Sequence, residues 1–410
     1  MKTFQMKITG ISIAIIVLFS LPSDLFSQTV NTGEFYITSG TIFSTTGAFI
    51  NQSTATYINN GESHFYNHFT NDGVVDFLDD VNSSMHFEGQ FSQKISGSSP
   101  SYFNNVFFNN SSDLTTSFEV SNDLKVDNEA TFYSGILNNK DFGGTVTFGV
   151  NATQINTSNN SHVNGSVNKI GNTFFDFPIG DNGFFRPVKI SAPEEISEEI
   201  RSTYIQENSN TLYLHSLKEG ILKYIDENEY WKIRQETGVT NVVVTLTWDE
   251  NTTSSEIINT DSKTSINIAR WDEIKGYWVN EGGIVDVDNK SVTTVSKVSG
   301  YGVFALSIIK ENLSLPDGCL TVYNGISNNN DGKNDALTIT CIDDYSNNTV
   351  EIFNRWGQKV FETKRYTNEE NNFKGYSSKG KRLPSGTYFY VLRYKLNEKT
   401  HRKVGSLYVN

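Results

Sequence analysis

The sequence predicts an all-β protein in three successive parts: a β-solenoid-like stalk, a middle β-sandwich and a smaller C-terminal β domain. Three observations carry that prediction. The 410 residues include 28 Phe, 19 Tyr and 31 Gly but only 3 Met and 7 Pro. Phe, Tyr, Val, Ile and Thr fit a pleated, half-buried surface, while Asn, Gly and Ser fit turns. Short apolar runs are broken repeatedly by Gly or Asn-Asp steps, the punctuation of strands. No convincing amphipathic helix follows the N-terminal segment; the nearest, PEEISEE from Pro193 to Glu199, is short and acidic.

Residues 1–27 read as a signal peptide. Lys2 and Lys7 form a charged n-region, Ile8 to Leu21 an apolar core, and Ser27 the small residue before cleavage. A membrane anchor needs roughly 20 apolar residues, and this run is shorter and broken by Pro22. No Cys directly follows it to carry a lipid, and no transmembrane helix is expected in the mature chain. The expectation is an exported protein, secreted or held at the outer cell surface after passage through the periplasm.

Charge divides the chain. The formal net charge is -13, yet the segment from Asp317 onward holds 14 Lys and Arg against 10 Asp and Glu, so a tail of +4 follows a body of -17. A body this acidic argues against nucleic acid, whose phosphates require a basic surface. The change of sign marks a boundary near Leu315.

Residues 28–165 read as short strands and turns: EFYITSG, TIFSTTG, ATYINNG, SHFYNHFTNDG, MHFEGQF. Phe35, Phe43, Phe49, Tyr57, Phe65, Phe77 and Phe87 recur along them. Stacked rungs that bury one another's aromatic rows fit this pattern, and a β-sandwich is the competing reading of the same spacing. Gln93-Lys94-Ile95-Ser96-Gly97, Phe103-Asn104-Asn105-Val106 and Phe132-Tyr133-Ser134-Gly135 resemble the β-solenoid segments of large surface proteins exported by Bacteroidota-type bacteria. That resemblance implies a right-handed β-helix-like stalk and no activity. Residues 166–312 alternate as strands such as EYWKIR, VVVTLTWDE and VSGYGVFALS, with Trp231, Trp248, Trp271 and Trp278 spaced as in a sandwich core.

Residues 317–410 form the third part. Val350, Ile352 and Phe353 read as one strand and Lys359 to Glu362 as the next, with Arg355-Trp356-Gly357-Gln358 turning between them. Phe353, Val360 and Phe361 are expected in the core. Leu383-Pro384-Ser385-Gly386 suits a type I turn feeding the strand from Thr387 to Tyr394. Together VYNGISNNNDGKND, VEIFNRWGQKVFE, LPSGTYFYVLRY and GSLYVN resemble the gliding motility-associated C-terminal domain family. The resemblance implies an Ig-like β-sandwich serving as a type B sorting signal for the type IX secretion system, with that machinery as partner. It places the recognition signature at Asn354, Arg355, Trp356, Gly357, Leu383, Pro384, Gly386, Thr387 and Tyr388. Arg355 and Trp356, on an exposed turn, are of the residue types that dominate interface hot spots.

SNNNDGKND, Ser327 to Asp335, gathers oxygen donors around a Gly. With Gly332 at position 6 of an EF-hand, positions 1 and 12 would be Ser327 and Thr338, so the required acids are absent. Where the family carries Pro-Asn-Gly-Asp-Gly, this chain has Asn328 for the Pro and Asn330 for the first Gly. Ca²⁺ held by Asn329, Asp331 and Asp335 is the cofactor expectation, against a turn bonded by its own side chains; no cofactor is otherwise required. Cys319 and Cys341 flank this loop, and in an exported chain an even pair is a disulfide by default.

His64 and His68, if strand residues, lie about 13 Å apart, too far to share a metal. Glu194-Glu195, Glu198-Glu199 and Asp79-Asp80 read as solvated acids. No HExxH, GxSxG, phosphate loop or CxxC is present. The expected function is therefore a non-enzymatic surface adhesin or matrix protein that binds glycans or other cell-surface ligands. The alternative is a polysaccharide lyase or glycosidase whose acids converge only in the fold. A third reading, a component of the motility apparatus, rests on the family's name.

Overall fold

A computed structural model of the chain describes residues 27–78, 82–112, 115–310, 319–323, 325–327, 329, 334–396 and 399–410. The expected signal peptide falls, up to residue 26, outside the described residues, as do Asp79, Asp80 and Asp331.

Strand pairing decides between the two readings of the N-terminal part. Sequence neighbours in a sandwich pair antiparallel, whereas here each short strand pairs parallel with a strand one rung away. The first face stacks Gln28–Asn31, Ala48–Asn51, Phe69–Asn71, Gln93–Ser96, Phe118–Val120, Leu137–Asn138, Val163–Asn164 and Ile179–Asp181. The second begins with Glu34–Ile37, Thr56–Asn59 and Val74–Asp76. The third begins with Ile42–Thr45, Glu62–Phe65 and Ser84–Gly89. The longer strands Ser101–Asn110 and Asp123–Ser134 serve the second and third faces in turn. This part is a three-sided β-solenoid.

Alternation along each strand sends one row of side chains inward and the next outward. Inside, the rings of Phe65, Phe87, Phe108 and Phe132 follow one another at 5.7, 5.9 and 5.6 Å between centroids. At the corner after the first face, buried carbonyls find partners in an asparagine ladder. Asn31 donates to the side chain of Asn51, and Asn51 to that of Asn71, each at 2.9 Å. Each also donates to a backbone carbonyl of the next rung, Thr56 and Val74 respectively. Gly97, on that corner at φ +126, has room for no side chain: a Cβ would stand 1.9 Å from the Asn71 carbonyl oxygen.

The solenoid runs into the middle part without a break. Ser166–Ile170 pairs parallel with Thr145–Phe148 on one edge and antiparallel with Glu199–Ile205 on the other. The same sheet continues through Tyr230–Thr237, Gly302–Ile309, Ile266–Asp272 and Tyr277–Gly282. A second sheet faces it, ordered Phe175–Asp176, Val188–Ile190, Val244–Thr247, Ser291–Thr293 and Ile284–Asp286. Trp231, Leu246, Val292, Ile268 and Phe304 fill the space between and belong to the buried cluster that also lines the solenoid. Trp231, Trp248 and Trp278 are buried as expected; Trp271 is half-buried and packs beside Trp278 in a satellite cluster.

One buried ion pair sits in that core. Arg186 donates to both carboxylate oxygens of Glu229, at 3.0 and 2.8 Å, and also to the hydroxyl and carbonyl of Thr247 and the hydroxyl of Thr253. Tyr204 donates to Glu229 at 2.7 Å. These contacts complete the pairing that a buried charge requires. Glu198 corrects the reading of its run as solvated: it is buried and accepts from Val239, Thr240 and Gln235. Burial would raise its carboxyl, but those donors hold it below the ordinary range. Glu194 and Glu195 are exposed as expected.

The C-terminal part has its own core. Its sheet is ordered Gly325–Ile326, Lys399–Val409, Gly386–Leu396, Asn348–Phe353 and Lys359–Lys364. The opposing layer is made by segments joined through short bridges, Val322 to Ile339 and Tyr376 to Arg382, which bury Leu320, Leu337, Ile342, Tyr366 and Phe373. Cys319 and Cys341 are joined in a disulfide with Cα atoms 5.9 Å apart. Among the described residues no helix is long and apolar enough to cross a membrane.

Candidate functional site

Two places gather exposed functional chemistry, one on the third face of the solenoid and one at an end of the C-terminal sheet. On the third face His64, His86 and Phe107, each just before an inward Phe, point out, whereas Thr131 before Phe132 is buried. Parallel register therefore stacks His64 on His86 and His86 on Phe107. Ring centroids are 4.4 and 4.3 Å apart and the planes nearly parallel. Tyr133 continues the stripe at 6.2 Å from Phe107. Beside it runs a second outward row in which Glu62, Ser84, Asn105 and Glu129 occupy successive rungs and, with Ile42 and Phe107, line a shallow groove.

The two histidines stand among carboxylates. Glu62 Oε1 is 2.9 Å from His64 Nε2 and 3.6 Å from His86 Nε2. Glu88 Oε2 is 3.0 Å from His64 Nδ1, and Ser84 Oγ is 3.0 Å from His86 Nε2. Burial, then the neighbouring His64, lowers the His86 imidazole below its usual value. Burial would raise Glu88, but hydrogen bonds from His64 and Tyr66 outweigh it and hold its carboxyl low.

His64 and His68 do not share one strand, as the 13 Å spacing assumed, but fall on different faces of the solenoid. His68 turns to the first face, where its Nδ1 accepts from the Lys94 backbone at 3.1 Å. The partner that sequence reasoning missed is His86. The His-Phe dipeptide occurs at residues 64–65, 68–69 and 86–87, so it does not by itself single out His86, which only the strand register brings onto His64.

In the C-terminal part, strands Asn348–Phe353 and Lys359–Lys364 form the expected hairpin. Asn354 organises its turn: Oδ1 accepts from the backbone of Trp356 at 3.1 Å and of Gln358 at 3.0 Å. Gly357 lies at φ +77, which a left-handed turn position requires. Trp356 is 70 % exposed, and the Arg355 guanidinium lies 4.4 Å over its ring. The fully buried residues of the first strand are Val350 and Ile352. Val360 and Phe361 pack partly buried against the core, while Phe353, expected inside, is only half-buried.

The second signature segment comes to the same end of the sheet, because Phe353 pairs with Phe389. Residues 383–386 make a bend rather than a hydrogen-bonded turn. It is closed by the buried Tyr388, whose hydroxyl donates to the Pro384 carbonyl at 2.9 Å. A tyrosine reaching back to the backbone just upstream is the corner device of Ig-like sandwiches. Leu383 packs on the core, and Gly386 and Thr387 open the long strand. Trp356, Phe389 and Tyr408 are exposed near this end.

Residues 320–409 match the CHU_C Type IX secretion signal domain. The protein is thereby exported to the cell surface or secreted, and recognition by the type IX secretion machinery is implied. No curated protein matches the chain. Within the signal domain, the loop considered for Ca²⁺ is described at Asn329 and Asp335, while Asp331 lies outside the described residues. The Ser327 amide donates to the Asn334 carbonyl at 2.8 Å across that loop.

Proposed function

We propose that the exported chain is a non-enzymatic adhesin or matrix protein, delivered by its signal domain and binding a glycan or other cell-surface ligand along the third face of the solenoid. The observation that carries this reading is the outward stripe of His64, His86, Phe107 and Tyr133 beside a polar groove. Stacked rings with a few placed polar groups are what ligand surfaces are made of.

The spacing of acids in the groove favours binding over hydrolysis. Glu62 and Glu129 are separated by three ladder steps, about 14 Å at roughly 4.8 Å per step. Glycosidase carboxylates stand about 5 to 9.5 Å apart. Glu62 and Glu88 are nearer, but the His64 ring fills the gap between them.

The test is to incubate the purified chain with a panel of polysaccharides and assay both retention and new chain ends. Retention without cleavage supports the adhesin reading and names its ligand; new ends from any substrate overturn it. For the signal domain, Arg355 and Trp356 are the proposed contacts with the secretion machinery. An N-terminal signal peptide and residues 317–410 fused to a reporter should carry it past the periplasm in a host with type IX secretion.

A further inference from the structure

We propose that Glu62, His64 and His86, with Glu88 behind them, bind a divalent transition-metal ion of the zinc class on the third face of the solenoid. The inference does not depend on the adhesin reading, since ion binding is read out without any other ligand.

The geometry is convergent. Both imidazole Nε2 atoms face the same oxygen of Glu62, at 2.9 and 3.6 Å, and all three donor atoms lie within 4.8 Å of one another. A tetrahedral zinc ion bonded at about 2.0–2.1 Å holds its ligand atoms roughly 3.3 Å apart. Small side-chain rotations therefore suffice to close the three donors around an ion. The Ser84 hydroxyl, now 3.0 Å from His86 Nε2, must turn aside as they do.

The donor set selects the class of ion. Two imidazoles and one carboxylate suit Zn²⁺ and its first-row neighbours, whereas Ca²⁺ and Mg²⁺ take oxygen ligands. Glu88 supplies what a metal-bound histidine usually has, a carboxylate on its other ring nitrogen, here 3.0 Å from His64 Nδ1. That contact orients the ring and fixes which nitrogen faces Glu62.

Pre-organisation comes from the solenoid itself. Glu62 and His64 lie on one strand and His86 on the strand paired with it in register. The His86 ring is held between those of His64 and Phe107. Three protein ligands leave a fourth position, and the neighbouring groove with Asn105 and Phe107 is the side from which a water or a ligand oxygen can reach it.

The probes are Co²⁺ and Zn²⁺ alone, added to the purified, untagged chain. One equivalent of Co²⁺ should bind, give the visible absorption of a four-coordinate nitrogen and oxygen site, and be displaced by Zn²⁺. His86→Phe keeps a ring in the stack and removes the donor, so it should weaken binding at least ~100-fold with the ion-free melting temperature unchanged. Glu88→Gln, which touches only the second ring nitrogen, should weaken it about 10- to 100-fold. If His86→Phe does not fold, Glu62→Gln takes its place with the same expected loss. Absence of Co²⁺ uptake by the wild-type chain overturns the proposal, as does wild-type affinity in the folded ligand variant, which would place the ion elsewhere.

Discussion

The solenoid and the signal domain hold strands together in opposite ways. Solenoid strands are parallel and mostly short, and each rung is buried by its neighbours, so no rung has a core of its own. The signal domain instead zips two long antiparallel strands, Gly386–Leu396 against Lys399–Val409, and adds a disulfide. Its buried cluster shares no residue with that of the body. A rung is a link in a stack that runs on into the middle sandwich, while the signal domain is a self-contained address attached to it.

The sharpest way to break that contrast is to cut the aromatic ladder. Phe87 is fully buried between Phe65 and Phe108. Phe87→Ala should cost about 3–5 kcal/mol. If the body is one cooperative stack, calorimetry should show solenoid and middle sandwich losing stability together while the signal-domain transition stays put. Two separate body transitions would show that the shared sheet does not couple them.

Removing the disulfide tests the other side. Cys319 and Cys341 close a separation of 22 residues, worth roughly 3 kcal/mol on the chain-entropy account. The double change Cys319→Ser, Cys341→Ser should lower only the signal-domain transition. A matching drop in the body would deny the domain its independence.

Acid should act on the body through His215. Its Nε2 meets Ser209 Oγ at 2.8 Å and its ring packs against Trp278. Burial, with Lys218 nearby, lowers the imidazole to about 4. An unfolded histidine titrates near 6.5. Between those values the unfolded chain binds more protons, so this contribution is fully present above about pH 6.5 and is lost as pH falls toward 4. His215→Gln should flatten the pH dependence of the body transition relative to wild type over that window.

The smallest effect on stability is expected at Trp356, because it is mostly exposed. Trp356→Ala should shift the signal-domain transition by less than about 0.5 kcal/mol yet lower the exported fraction of the protein. A large loss of stability would make Trp356 a structural cap instead.

Much of this was legible in the residues. Composition and turn punctuation gave the all-β class, and the hairpin around Asn354 to Gly357 was placed correctly because a turn is a local event. The disulfide followed from cysteine count and export. Phe353 reads as core from its sequence because alternation predicts which residues share a face, whereas the covering layer decides how deeply each is buried. Glu198 reads as solvated for a related reason: its donors come from Val239, Thr240 and Gln235, on a strand and turn remote in sequence.

Local conformation is written in the residues: where strands and turns fall, which side chains alternate inward, and which motifs mark the signal domain. Which strand lies on which is settled by packing. Rung length varies, with an offset of 20 residues between Asn31 and Asn51 but 23 between Asn105 and Asn128. Corner loops absorb the difference, so no fixed period announces the register. Parallel stacking at about 4.8 Å per rung then brings His64 onto His86 and both onto Glu62, a meeting that follows from the packing of the Phe ladder beneath them.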